Sequence, residues 1–202
     1  MNFFSPSKTI FLVSLICLSA FLTSCGNDGF VPKPRGYLRI DLPEKKYRSF
    51  DSTFPFRFEY PVYANVSFDK FTQEEVYWMN LEFTRFKGKI HLSYKDLKNT
   101  NLSRLTEDAR TMVYKHAPKA TGIRESLIEH YDRKIFGMAY SIEGSEAASS
   151  FQFYVTDSTH HFLRGALYFE AVPNNDSLQP VIDFIINDID HLIATLHWKD
   201  LD

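Results

Sequence analysis

The 202 residues set 23 Lys and Arg against 25 Asp and Glu, a slightly acidic balance in which nothing calls for nucleic acid. Cys17 and Cys25 are the only cysteines, so a disulfide framework, a Cys-based metal site and a thiol nucleophile are all excluded from residues 26–202. The 19 Phe, 11 Tyr and 2 Trp supply enough apolar area for one domain that folds without covalent staples.

The chain begins with one cation, Lys8, and an apolar run over residues 9–22 interrupted only by small polar residues. That run falls short of the ~20 apolar residues a membrane-spanning helix needs, and it ends in small residues, as a cleaved secretory signal does. Leu22-Thr23-Ser24-Cys25 resembles the lipobox of bacterial lipoproteins. The resemblance implies removal of residues 1–24 and acylation of Cys25, with palmitate among the acyl chains, as the membrane anchor. Residues 25–52 then read as the lipidated Cys and an extended arm, in which Pro32, Pro34 and Pro43 disfavour helix. Between residues 32 and 48 stand six cations, among them Arg35 and Arg39, interleaved with Tyr37, Tyr47 and aliphatic residues. Such a mixture suits either an edge segment packed on its own domain or a partner-binding element, with Arg35, Tyr37, Arg39 and Tyr47 as the contacts.

Residues 53–202 read as one globular domain. Phe54, Phe56, Phe58 and Tyr60 alternate with polar residues as a strand ended by Pro61, and strands follow over 76–83 and 89–94 about a Lys87-Gly88 turn. Residues 102–116 change to helical spacing, with Asn101 or Ser103 as cap and Pro118 beyond the end; the stripe Leu102, Leu105, Ala109, Met112, Val113 and His116 reads as a core face. Strands over 123–131, 134–142, 147–155 and 162–170 follow with short links, which demand antiparallel pairing because a parallel crossover takes a dozen or more residues. A helix over 177–196 closes the chain, with Asn174, Asn175 or Asp176 as cap and Asp183, Asp188 and Asp190 on its wet side. The fold class is α+β: a largely antiparallel sheet of about six to eight strands packed with two main helices, an element order similar to the PsbP/Mog1-like architecture.

No motif for catalysis, a metal or a cofactor emerges. His160 and His161 are the most ligand-like pair, yet neighbours on a strand point to opposite faces. His116 reads as a helix C-terminal residue, and HExxH, Walker and dinucleotide patterns do not occur.

Nearly the whole chain resembles the gliding-motility lipoprotein family GldD of Bacteroidetes. The resemblance rests on residues 32–47 (PKPRGYLRIDLPEKKY), 91–95 (HLSYK), Gln152-Phe153, residues 156–158 and 161–169 (HFLRGALYF), Pro173-Asn174 and residues 176–178. It implies an envelope lipoprotein required for gliding and tied to the type IX secretion machinery, held through Cys25 at the outer membrane facing the periplasm. It brings no catalytic residues. The reading is a non-enzymatic assembly module that binds other gliding or secretion proteins. A small-ligand or peptidoglycan-binding lipoprotein is the alternative, and an enzyme comes third.

Overall fold

Alternation of apolar and polar residues dictates most of what forms. The computed structural model describes residues 40–68, 77–170 and 175–199. Ten strands and two α-helices run through these residues: β1 (Tyr47–Phe50), β2 (Phe56–Pro61), β3 (Asn65–Phe68), β4 (Met79–Phe83), β5 (Gly88–Asp96), α1 (Leu102–Tyr114), β6 (Gly122–His130), β7 (Ile135–Glu143), β8 (Ser149–Thr156), β9 (His161–Phe169), α2 (Asn175–Thr195) and β10 (His197–Trp198). Seven strands make the main sheet in the order β3-β4-β5-β9-β8-β7-β6, antiparallel at every pairing. The other three make a small sheet, β1-β2-β10. The chain leaves β5 through α1, starts a meander at the far edge with β6, and returns strand by strand until β9 lies against β5. Residues 47–50, at the end of the stretch read as arm, therefore form a strand, and Phe50 is buried.

Three layers result. One face of the main sheet carries Met79, Leu81, Phe83, Ile90, Leu92, Phe153, Val155, Leu163 and Leu167, all buried against α2 and the aromatic face of β2 (Phe56, Phe58, Tyr60). The opposite face is covered in part by α1, through a smaller cluster of Val113, Tyr140, Ile142 and Ala147. That helix buries only Ala109 and Val113, and Met112 is 43% exposed, so the stripe read as a core face is a narrow seam on a surface helix. β9 is covered on both faces, as a central strand must be, whereas β6 buries no residue and forms an edge. Opposite Phe153 on β8 stands Gly165, where an added Cβ would come within 2.2 Å of the ring, so the aromatic side chain lies across the gap that the glycine leaves.

The turns follow from local chemistry. The hairpins β4–β5 and β6–β7 close alike, with a short 3-10 turn (Thr84–Phe86, Tyr131–Arg133) followed by a lysine in the left-handed region, Lys87 and Lys134, each at φ 52°. The Asn101 side chain caps α1 by accepting from the Ser103 amide at 2.8 Å, whereas that of Asn175 donates to the carbonyls of Gly144 and Ala147 and so tethers α2 to the β7–β8 turn. Arg133 donates to the carbonyls of Ile193, Ala194 and Leu196, adding a donor where the end of α2 leaves carbonyls short of partners.

Between β8 and β9, Asp157 accepts from the amides of Thr159, His160 and His161 at 2.8–3.0 Å. Burial pushes its carboxyl upward, but these amide bonds outweigh it and hold the group at about 2 against an ordinary 3.8. A depressed folded value stabilises above the unfolded one and is lost as the pH falls through the folded one. Stability is therefore expected to fall between pH 4 and pH 2 through this residue, and Asp157→Ala to flatten that limb in acid unfolding followed by circular dichroism.

Candidate functional site

The arm reaches the domain through a buried carboxylate. On α2 the spacing of Val181, Phe184, Asp188 and Leu192 places the four on one face, and that face is inward: Asp188 is only 2% exposed. An isolated carboxylate at such a depth would be prohibitively costly, so its lone pairs must be met. Lys45 Nζ lies 2.6 Å from Asp188 Oδ1 and equally close to the Phe184 carbonyl oxygen, and it sits 3.4 Å from the centroid of the Phe184 ring. The Tyr47 hydroxyl donates to Asp188 Oδ1 at 3.0 Å, and the Tyr63 hydroxyl donates to Oδ2 at 2.8 Å. The assignment of Asp188 to the wet side of the terminal helix is thus overturned, whereas Asp183 and Asp190 are exposed.

This clasp extends by one more turn of α2. The Tyr47 ring stacks on His191 with centroids 3.6 Å apart and planes 17° apart, and His191 Nε2 is 2.7 Å from Glu59 Oε2 on β2. Burial, then the charge and the hydrogen bond of Asp188, push the Tyr47 hydroxyl up to about 12, and Tyr63 is raised for the same reasons. Burial also lowers the Lys45 ammonium from its ordinary 10.5, with the bond to Asp188 and its charge acting against that shift. Together with the β1–β2 ladder, in which Tyr47 pairs with Pro61 and Phe50 with Phe58, these contacts weld residues 45–50 to both β2 and α2.

Of the residues singled out in the sequence, Cys25, Arg35, Tyr37 and Arg39 lie outside the described residues. Tyr47 lies within them, committed to the domain's own packing. His161 is buried, with Nδ1 2.8 Å from the Tyr94 hydroxyl and its ring stacked on Trp198, while His160 is exposed. His116 packs near Tyr168, and burial with the nearby Arg164 charge lowers its pKa. Among the described residues no group of three or more His, Cys, Asp or Glu could hold a metal ion, and no helix is long and apolar enough to cross a membrane.

A family model described as gliding motility lipoprotein GldD matches residues 27–198. The chain belongs to the GldD family. The match begins just past Cys25 and takes in the clasp and the domain through β10. The stretches quoted for the resemblance, 91–95, Gln152-Phe153 and 161–169, fall on β5, β8 and β9, three adjacent strands at the centre of the main sheet. No curated protein matches this GldD-family chain. Among solved structures it is similar to the solution structure of cyanobacterial PsbP (CyanoP) from Synechocystis sp. PCC 6803, at 10% sequence identity and a TM-score of 0.48, over 80% of this chain and 97% of that one. As a GldD-family member it is a gliding motility lipoprotein.

Proposed function

We propose that this lipoprotein is a non-enzymatic assembly module of the gliding apparatus and of the associated type IX secretion machinery, held through acylated Cys25 at the outer membrane and facing the periplasm. The clasp is the observation that carries this reading. A passive tether needs no fixed root, because a flexible chain merely keeps a domain near the membrane. Here the last residues before the domain are locked by a buried ion, two tyrosine hydroxyls and a strand ladder, so a pull on the anchor is delivered into β2 and α2 rather than to a loose coil.

Since Tyr47 serves the clasp, recognition of a partner falls to Arg35, Tyr37 and Arg39. A guanidinium pairs bidentately with carboxylates and stacks on aromatic rings, and Pro32, Pro34 and Pro43 lower the entropy lost when the segment is ordered on a partner. Arg35→Ala with Arg39→Ala is expected to leave the melting temperature within ~2 °C of wild type, as surface changes do, while abolishing gliding and copurification of the partner. A large loss of thermal stability would assign the two arginines to the fold, and normal gliding in a folded variant would remove the recognition role. Anchoring is read separately: a fatty-acid analogue is expected to label the wild type and not Cys25→Ala, and equal labelling of both contradicts it.

A further inference from the structure

The outer face of the main sheet carries a cation for which no described residue supplies a counter-charge. Arg164 lies on the central strand β9, opposite Ser93 of β5 on one side and Tyr154 of β8 on the other. Its guanidinium donates to the amide oxygen Oε1 of Gln152 at 2.5 Å, with the Tyr168 side chain close by. No carboxylate among the described residues pairs with it, and Glu82, on the same face, is taken by Ser67 and Lys89. Burial lowers its pKa, and its charge in turn depresses that of His116, two residues past the end of α1. A desolvated charge held only by neutral groups is costly, and a guanidinium is built to take a carboxylate on two parallel N–H groups.

A space for such a group adjoins it. A cavity of about 250 Å3 is lined by Trp78, Asn80, His91, Ser93, Arg164 and Tyr168 among others, and none of the described residues around it is Asp or Glu. The surroundings are rich in donors: Trp78 Nε1, and Nε2 of the Gln152 that holds Arg164, are buried with no acceptor among the described residues. Trp78 and Tyr168 supply aromatic walls, and Lys95 Nζ lies 5.3 Å from the Trp78 ring. The volume lies below the ~300–1,000 Å3 of drug-sized pockets, which limits the occupant to about one residue.

We infer that this cavity binds the carboxylate of a residue-sized acid, with Arg164 as the fork and Trp78 and Tyr168 flanking the group that carries it. The acid is either a free organic acid or the C-terminal residue of a peptide. The inference is independent of the assembly reading.

The test uses the full mature lipoprotein in detergent, carrying Trp198→Phe so that Trp78 is its one tryptophan, with binding read by titration calorimetry and by Trp78 fluorescence. The probes are benzoate, acetyl-Ala-Ala-Phe with a free carboxylate, the same peptide as its amide, and inorganic phosphate. The free acid is expected to bind on the order of tenfold or more tighter than the amide, the step that charge-assisted pairing supplies. Benzoate binding as well as the peptide acid identifies a free acid as the source; binding of the peptide acid alone identifies a peptide terminus. Arg164→Met, made with Gln152→Leu so that no acceptor is stranded, is expected to lose binding with its melting temperature unchanged or raised. Ser93→Leu, which leaves the guanidinium in place and fills the cavity, is expected to weaken acid binding by a similar factor. Equal binding of acid and amide, absence of acid binding, or phosphate binding in place of the acids would overturn the assignment. Unimpaired binding by Ser93→Leu would overturn its location.

Discussion

Lys45→Met is expected to destabilise the domain by about 2–4 kcal/mol, somewhat less than the ~3–5 kcal/mol for breaking a fully buried ion pair because one partner is partly solvated. Lys45 has 29% of its side chain exposed, whereas Asp188 has 1%. What remains after the substitution is a carboxylate with two tyrosine donors and no cation, and the Phe184 carbonyl loses its donor as well. For a chain of this size the loss corresponds to roughly 5–15 °C in melting temperature. The double change Lys45→Met with Asp188→Leu is expected to cost less than the two single changes added, by more than ~1 kcal/mol, because it removes both charges together. Urea unfolding of the four proteins at pH 7 checks both statements. A single-mutant loss below ~0.5 kcal/mol would mean that the pair behaves like an exposed salt bridge and clasps nothing.

Ile185→Asp is expected to prevent accumulation altogether. Ile185 is 0% exposed at the centre of the α2 contact with the main sheet, and its Cδ1 lies 3.2 Å from where a Cβ on Gly88 would stand. An unpaired carboxylate at that point has no donor to meet it, and the several kcal/mol this costs is a large share of a typical stability of ~5–15 kcal/mol. Ile185→Val, which removes one methyl group, is expected to accumulate normally with a loss of about 0.5–1.5 kcal/mol. Immunoblots of envelopes and thermal unfolding of the purified variants distinguish the two. Normal levels of Ile185→Asp would mean that the apolar stripe of α2 does not face the sheet.

The apolar stripes of the longer strands and of the last helix were legible because their periods are long and clean. Alternation in 56–61 and 88–96 and the 3.6-residue spacing of the last helix each repeat often enough to name an element and its buried face, while 161–169 reads as a strand that is apolar on both faces. β1, β3 and β10 were not, since two to four residues of mixed polarity carry no period, and each strand exists only because a partner distant in sequence pairs with it. The clasp escaped for a related reason. Lys45 and Asp188 lie 143 residues apart, so no local pattern joins them. A signal was nonetheless present: Asp188 follows Phe184 by four residues and precedes Leu192 by four, inside the apolar stripe, and a charge at such a position implies a buried partner. Arg164 offers the same lesson on a strand. Its alternate neighbours Phe162, Ala166 and Tyr168 form a second apolar face, and a guanidinium within such a face asks what it pairs with.

The central claim is that the lipid-anchored arm recognises a protein of the gliding or secretion apparatus while its root stays fixed to the domain. The most direct test places a photo-crosslinking amino acid at Tyr37 in the full-length lipoprotein, irradiates intact cells, and identifies the products by mass spectrometry. One envelope protein is expected to crosslink in high yield, and the product to vanish when Arg35→Ala and Arg39→Ala are added. Crosslinks to lipid alone, or a protein product that persists unchanged in the double variant, would contradict the account.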